Sequence, residues 1–280
     1  MHAILRHASP APRSRSLDAI ALPASIVVLA VREHARELAR TAFPRRRCRL
    51  HLTKTSADLD RRLRSEFVDA VIVDAGAATD DTWSAIETIR EFPSIPFFAL
   101  TTMRPTDANT VSRCAIAEIA DVLVEGVDDA AIRPLVLRAG FSSRFSRALH
   151  DPPPQLRISK PLQLAVWRIL VTYAGRPVRT DTIAAAVGVT REHVSRAFGV
   201  DGTANLKRLI DLVRLLAAAE LAKNPGFDVG DVARILAFAS SSHLSTTAQR
   251  IVGTKPASLA RLRTVDLVDR FVGGRTRSRG

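Results

Sequence analysis

Cysteine is nearly missing from this chain: its 280 residues include two, Cys48 and Cys114. They lie far apart and outside metal-ligand spacing, which excludes a disulfide framework and fits a reducing cytoplasm. Both read as small buried hydrophobes. No apolar run approaches the roughly 18 residues that cross a bilayer, so no membrane partner is expected. Residues 1–23 carry Arg6, Arg13 and Arg15 among Pro and Ser, without the apolar stretch of a secretory signal. They read as a disordered leader. The seven histidines are scattered, and no glycine-rich phosphate loop occurs. No catalytic, cofactor or metal constellation emerges, and no enzyme activity is expected.

Acid is scarce in one half only. Residues 155–263 hold 16 Lys and Arg against 7 Asp and Glu, whereas residues 1–154 hold 21 against 19. Most of the formal net charge of +13 therefore sits on the second half. Such a basic stretch is the electrostatic footprint of a protein that binds a polyanion. The length suits about two domains. Asp151-Pro152-Pro153-Pro154 marks the boundary, because consecutive prolines cannot continue a helix and favour an extended spacer. The expected division is a domain over 24–150, a Pro-rich linker over 151–159, a second domain over 160–263, and a basic tail over 264–280.

In the first half, short apolar runs alternate with helical patterns. Residues 26–31, 48–53, 68–73, 96–101 and 121–124 read as strands. Residues 33–43, 56–64, 81–92, 106–117 and 130–149 read as helices. Continuous apolar strands separated by helices imply a parallel sheet covered on both faces. In order, spacing and length this segment resembles the receiver domain of bacterial response regulators, a flavodoxin-like α/β fold with a five-stranded parallel sheet. The resemblance places Asp74, at the end of V-D-A-V-I-V-D, at the phosphoacceptor position, and Thr101 at the switch Ser/Thr position. It also implies an acidic pair after the first strand, where this chain has Ala30, Val31 and Arg32, with Glu33 the nearest acid. The expected Lys falls on Glu125, followed by Gly126 instead of Pro. One carboxylate is a poor Mg²⁺ site. The domain is therefore expected to be a pseudo-receiver, with Asp74 a vestigial position.

The second half carries a doubled pattern. T-D-T-I-A-A-A-V-G-V-T-R-E-H-V-S-R-A-F begins at Thr180, and D-V-G-D-V-A-R-I-L-A-F-A-S-S-S-H-L-S-T-T-A begins at Asp228. In each, a short helix ends at a small residue and a second helix opens with Thr or Ser. Ala184, Gly188 and Val194 match Ala233, Ala237 and Leu244. A small residue lets the helices cross closely, and the later apolar residue pins the second helix to the core, leaving its other face for DNA. Between them, residues 206–222 read as a linking helix roughly 25 Å long. With Arg214, Leu215, Ala218 and Leu221 on that helix, and Gly253 and Pro256 closing the second motif, the segment resembles the DNA-binding domain of the AraC/XylS family. It departs at Ala237, where the family has Gly, and at Leu244 and Ala248, where it has Phe.

That resemblance implies an all-α double helix-turn-helix domain and duplex DNA as the partner. Val194 and Phe198 should face inward. Thr190, Arg191, Glu192, Ser195 and Arg196 form the first candidate reading surface. Ser240, Ser241, Ser242, Ser245 and Thr246 form the second. Arg196 can make a bidentate contact to guanine, whereas the hydroxyls suit phosphate or water-mediated contacts. Thr190 and Ser240 should help seat phosphates at helix N-termini, and His243 reads as a packing residue. The expected function is a cytoplasmic, sequence-specific transcription regulator not controlled by aspartate phosphorylation, with a homodimer through the first domain and RNA polymerase as further partners. Three rivals remain: a phosphorylation-switched response regulator, an interaction adaptor whose second half does not read DNA, and a small-molecule sensor in the sheet crevice, for which no ligand signature appears.

Overall fold

The computed structural model describes residues 22–276 except 103, 105–107 and 201, with the backbone alone at 275 and 276. The expected leader lies outside the described residues, apart from Leu22 and Pro23. Five strands, β1 (Ala24–Leu29), β2 (Cys48–Thr53), β3 (Ala70–Asp74), β4 (Phe97–Thr101) and β5 (Asp121–Val124), form one parallel sheet in the order β2-β1-β3-β4-β5. This is the doubly wound order of flavodoxin-like folds. Every residue of β3 and β4 is buried, as parallel strands covered on both faces require.

Six helices flank the sheet: α1 (Glu33–Ala42), α2 (Ser56–Ser65), α3 (Asp80–Glu87), α4 (Ala108–Ile116), α5 (Ile132–Ala139) and α6 (Phe141–Ala148). The single helix expected over 130–149 is thus two. Asp69 breaks it at Gly140. Its backbone oxygen accepts Phe141 N–H at 2.9 Å, and its carboxylate accepts Ser142 N–H at 3.0 Å. The helix expected over 81–92 also ends early and continues as a 3₁₀ turn, Thr88–Glu91.

Seven helices follow: α7 (Pro161–Thr172), α8 (Thr180–Val187), α9 (Arg191–Arg196), α10 (Leu206–Leu221), α11 (Val229–Ile235), α12 (Ser241–Val252) and α13 (Thr264–Thr276). Two expectations need correction. The proline-rich stretch is no free spacer: Pro154–Leu156 forms a 3₁₀ turn, and Leu156 and Ile158 are buried. The basic tail is largely α13, whose Leu267, Val268 and Phe271 are buried against the helical half. Three apolar side chains within five residues give a short amphipathic stripe, which the arginine-rich composition conceals.

The two halves share one apolar core. It runs from Val27, Val71 and Phe97 on one sheet face, through Leu59, Phe92 and Phe145, to Trp167, Leu216 and Leu236 in the helical half. Phe92 and Phe227 meet with ring centroids 4.9 Å apart. A Cβ on Gly226 would lie 2.7 Å from the Phe92 ring, so glycine is what allows this approach. Polar contacts frame the apolar ones. Gly226 N–H donates to the Glu91 carbonyl at 2.9 Å, and the buried Asn224 amide accepts Ser94 N–H at 2.8 Å and donates to Ser94 Oγ at 2.6 Å. Arg64 on α2 donates to the Gly226 carbonyl and lies 3.7 Å from Asp231 on α11. Trp167 Nε1 donates to the Leu149 carbonyl at 2.8 Å.

A shared core implies cooperative unfolding. Phe227→Ala should destabilise the whole chain by about 3–5 kcal/mol. Urea unfolding followed by far-UV circular dichroism and by tryptophan fluorescence should give coincident curves in both proteins. Two separated transitions in the wild type would contradict the shared core.

Candidate nucleic-acid interface

The two motifs close in the same way. In the first, α8 ends at Gly188 with φ 70°, and Val189 N–H returns to the Ala184 carbonyl at 3.1 Å. In the second, α11 is followed by Ala237 with φ 51°, and Phe238 N–H returns to the Ala233 carbonyl at 2.8 Å. Both are helix stops through a left-handed residue. Glycine takes this conformation freely, whereas an alanine Cβ crowds its own carbonyl. The second turn is held from outside: Arg214 Nη2 on α10 donates to the carbonyls of Leu236 and Ala237 at 3.0 and 3.2 Å. Its guanidinium lies 3.8 Å from the Phe238 ring centroid. Arg214 thus ties the linking helix to the strained turn.

Val194 and Phe198 are buried, as expected, and so are their counterparts Leu244 and Ala248. Opposite them on α9, Arg191, Glu192, Ser195 and Arg196 are exposed. Arg196 Nε reaches the Glu192 backbone carbonyl at 3.4 Å, and Arg191 lies 3.7 Å from Asp181. On α12, Ser241, Ser242 and Thr246 are exposed and Ser245 is half-buried. The Ser245 and Thr246 hydroxyls donate back to the Ser241 and Ser242 carbonyls at 3.0 and 3.1 Å, which occupies their protons. Thr190 and Ser240 use their hydroxyl oxygens to cap α9 and α12, accepting His193 N–H at 3.2 Å and His243 N–H at 3.0 Å. That role had not been assigned to them in the sequence. His243 is exposed, yet it packs edge-on to Phe238 at 5.6 Å, and its Nδ1 accepts Ala239 N–H at 3.3 Å. Between the motifs, the 16-residue α10 spans about 24 Å. An ion pair at 2.9 Å from Arg250 on α12 to Asp211 on α10 fixes the second helix to that strut.

At the carboxyl end of the sheet, Asp74 is fully buried and held by Arg32. Arg32 Nε donates to Asp74 Oδ1 at 2.9 Å, and its Nη1 donates to Glu125 Oε2 at 3.2 Å, while Nη2 contacts both carboxylates. Burial alone would lower the Arg32 pKa, but hydrogen bonds and charge from Asp74 and Glu125 carry it above its ordinary value. The sequence showed the positive residue near β1 and the acid after β5 separately. Their exchange of sign relative to a receiver was the signal that they pair. Mg²⁺ does not fit this donor set, because a guanidinium already sits between the two carboxylates that would have to ligate the ion.

Comparison with known proteins bears on the helical half. Residues 183–261 match the family model described as a helix-turn-helix domain. That segment is a helix-turn-helix domain of the AraC type, a kind of domain that supports DNA binding in transcription regulation, and it follows a sheet of receiver-like topology. No curated protein matches the chain. Among solved structures, full-length FixJ from B. japonicum is similar at 13% identity over 86% of this chain and 98% of that one, with a TM-score of 0.37. At that score the likeness carries no weight for how the two halves sit together.

The strained turn gives a direct test. Ala237→Gly should stabilise the protein by about 1 kcal/mol, read as a higher midpoint in urea, with DNA affinity unchanged or improved. A loss of stability would mean that the left-handed conformation costs nothing here.

Proposed function

We propose that this protein is a sequence-specific transcription regulator of the cytoplasm that reads DNA with α9 and α12 and is not switched by phosphorylation of Asp74. The observation that supports it best is the pair of capped helices on either side of one strut, each with its apolar face buried and its polar face open. Two recognition helices joined by a rigid helix suit successive major grooves on one face of a duplex, about 34 Å apart. A homodimer through the sheet domain and contact with RNA polymerase complete the proposed partners. No described helix is long and apolar enough to cross a membrane.

Specificity should be divided unevenly. Arg196 is the forked donor assigned to a base-facing position of α9, and a bidentate base contact is worth about 1–3 kcal/mol of discrimination. The α12 hydroxyls offer single bonds, two of them already directed at the helix backbone. After selection of bound sequences from random DNA, Arg196→Ala should relax the preference at one base pair, while Ser241→Ala and Ser242→Ala weaken binding modestly and evenly. If Arg196→Ala keeps the wild-type profile and a serine variant erases a preferred base, α12 is the principal reader. The adaptor rival is met by the same binding assay: wild-type affinity should fall steeply with salt as counterions are released, and no binding at low salt would favour the adaptor.

The Asp74 reading rests on the Arg32 grip. To accept a phosphoryl group, the carboxylate would have to leave a guanidinium that also neutralises Glu125. Acetyl phosphate or beryllofluoride with Mg²⁺ should therefore leave DNA affinity and oligomeric state unchanged. Stoichiometric labelling that disappears in Asp74→Ala would promote the phosphorylation-switched rival.

A further inference from the structure

A second charged feature lies at the opposite, amino end of the sheet. There a cleft of about 1080 Å³ opens between the sheet domain and α7. The loop after α1 contributes Arg45, Arg46 and Arg47, α6 contributes Ser146 and Arg147, and Arg176 stands just beyond α7. Arginines elsewhere on the sheet domain, such as Arg40, Arg62 and Arg64, are paired with carboxylates. None of the five in the cleft has a carboxylate within ion-pair distance among the described residues. Asp69 lines the cleft too, but its two oxygens accept Ser25 N–H at 2.8 Å and Ser142 N–H at 3.0 Å. Its hydrogen bonds are spent on holding the sheet and α6.

Arg176 is positioned with care. Its Nε donates to the Tyr173 carbonyl and its Nη2 to Ser142 Oγ, each at 3.0 Å, and its guanidinium lies 4.4 Å from the Phe67 ring centroid. Burial pushes its pKa below the ordinary value, with the charge of Asp69 offsetting only part of the effect. Arg176 is a fixed, partly buried cation, and it lines the same cleft as four more arginines, so an anion entering the cleft meets a concentration of positive charge. Guanidinium forks also match phosphate oxygens geometrically. A concavity of this size suits a small ligand, whereas a duplex presents a convex backbone that does not enter it.

We propose that this cleft binds a small molecule carrying two or more phosphate groups, which fastens the sheet domain to the first helix of the DNA-binding half. The site lies apart from the recognition helices, and its failure would leave the DNA-reading proposal standing. The test is calorimetric titration of the full chain with inorganic pyrophosphate and tripolyphosphate at constant ionic strength. The expected result is saturable one-to-one binding, tighter for tripolyphosphate. Affinity should fall more than tenfold in the Arg46→Ala/Arg47→Ala double variant and in Arg176→Met, and stay unchanged in Arg191→Ala/Arg196→Ala. The double variant lies on an exposed loop, so it keeps the test readable if Arg176→Met does not fold. The proposal is overturned by absence of saturable binding, or by binding that is lost in the α9 variant instead. It is also overturned if the double variant keeps pyrophosphate affinity while weakening DNA binding evenly across sequences, which would assign these arginines to the duplex backbone.

Discussion

The apolar core that passes from the sheet into the helical half is the constraint on which the rest of this molecule depends. Phe92 and Phe227 meet across it, Gly226 lets them approach, and Asn224 and Arg64 satisfy the polar groups around them. Because α11 leans on α2, the second helix-turn-helix is held by the sheet domain as well as by α10. The recognition helices are thus presented by one packed body. The contact with the sheet domain falls on α11, whose C-terminal turn leads into α12.

That coupling gives meaning to the two charged sites at opposite ends of the sheet. At the carboxyl end, Arg32 bridges Asp74 and Glu125, so that each carboxylate is hydrogen-bonded to the same guanidinium. Removing the Arg32 side chain would take from Asp74 and Glu125 the guanidinium they share, and breaking a buried pair in this way typically costs about 3–5 kcal/mol. At the amino end, five arginines line one cleft with no carboxylate at ion-pair distance among the described residues, and Asp69 is the one acid beside them.

Much of this was legible in the sequence because the signals were periodic. Short apolar runs such as 68–73 and 96–101, set between helical patterns, read as buried parallel strands, and the match of Ala184, Gly188 and Val194 to Ala233, Ala237 and Leu244 reappears in the two turn closures. What escaped was non-local. The break at Gly140 depends on Asp69, 71 residues earlier, whose backbone and side-chain oxygens catch Phe141 and Ser142. The proline-rich stretch read as a spacer because proline stops helices, but Leu156 and Ile158 bury it. The tail read as basic because its four arginines outnumber its two acids, yet Leu267, Val268 and Phe271 fall on one face. Arg45-Arg46-Arg47 drew no notice as a charge run, since only the fold brings Arg147 and Arg176 to it.

The central claim is that one rigid body presents two reading helices to one face of a duplex. Hydroxyl-radical footprinting of the full chain on a selected duplex tests it most directly. The account predicts two protected patches on the same face of the DNA, centred about 10–10.5 base pairs apart. A single patch under one helix, or two patches on opposite faces, would contradict it.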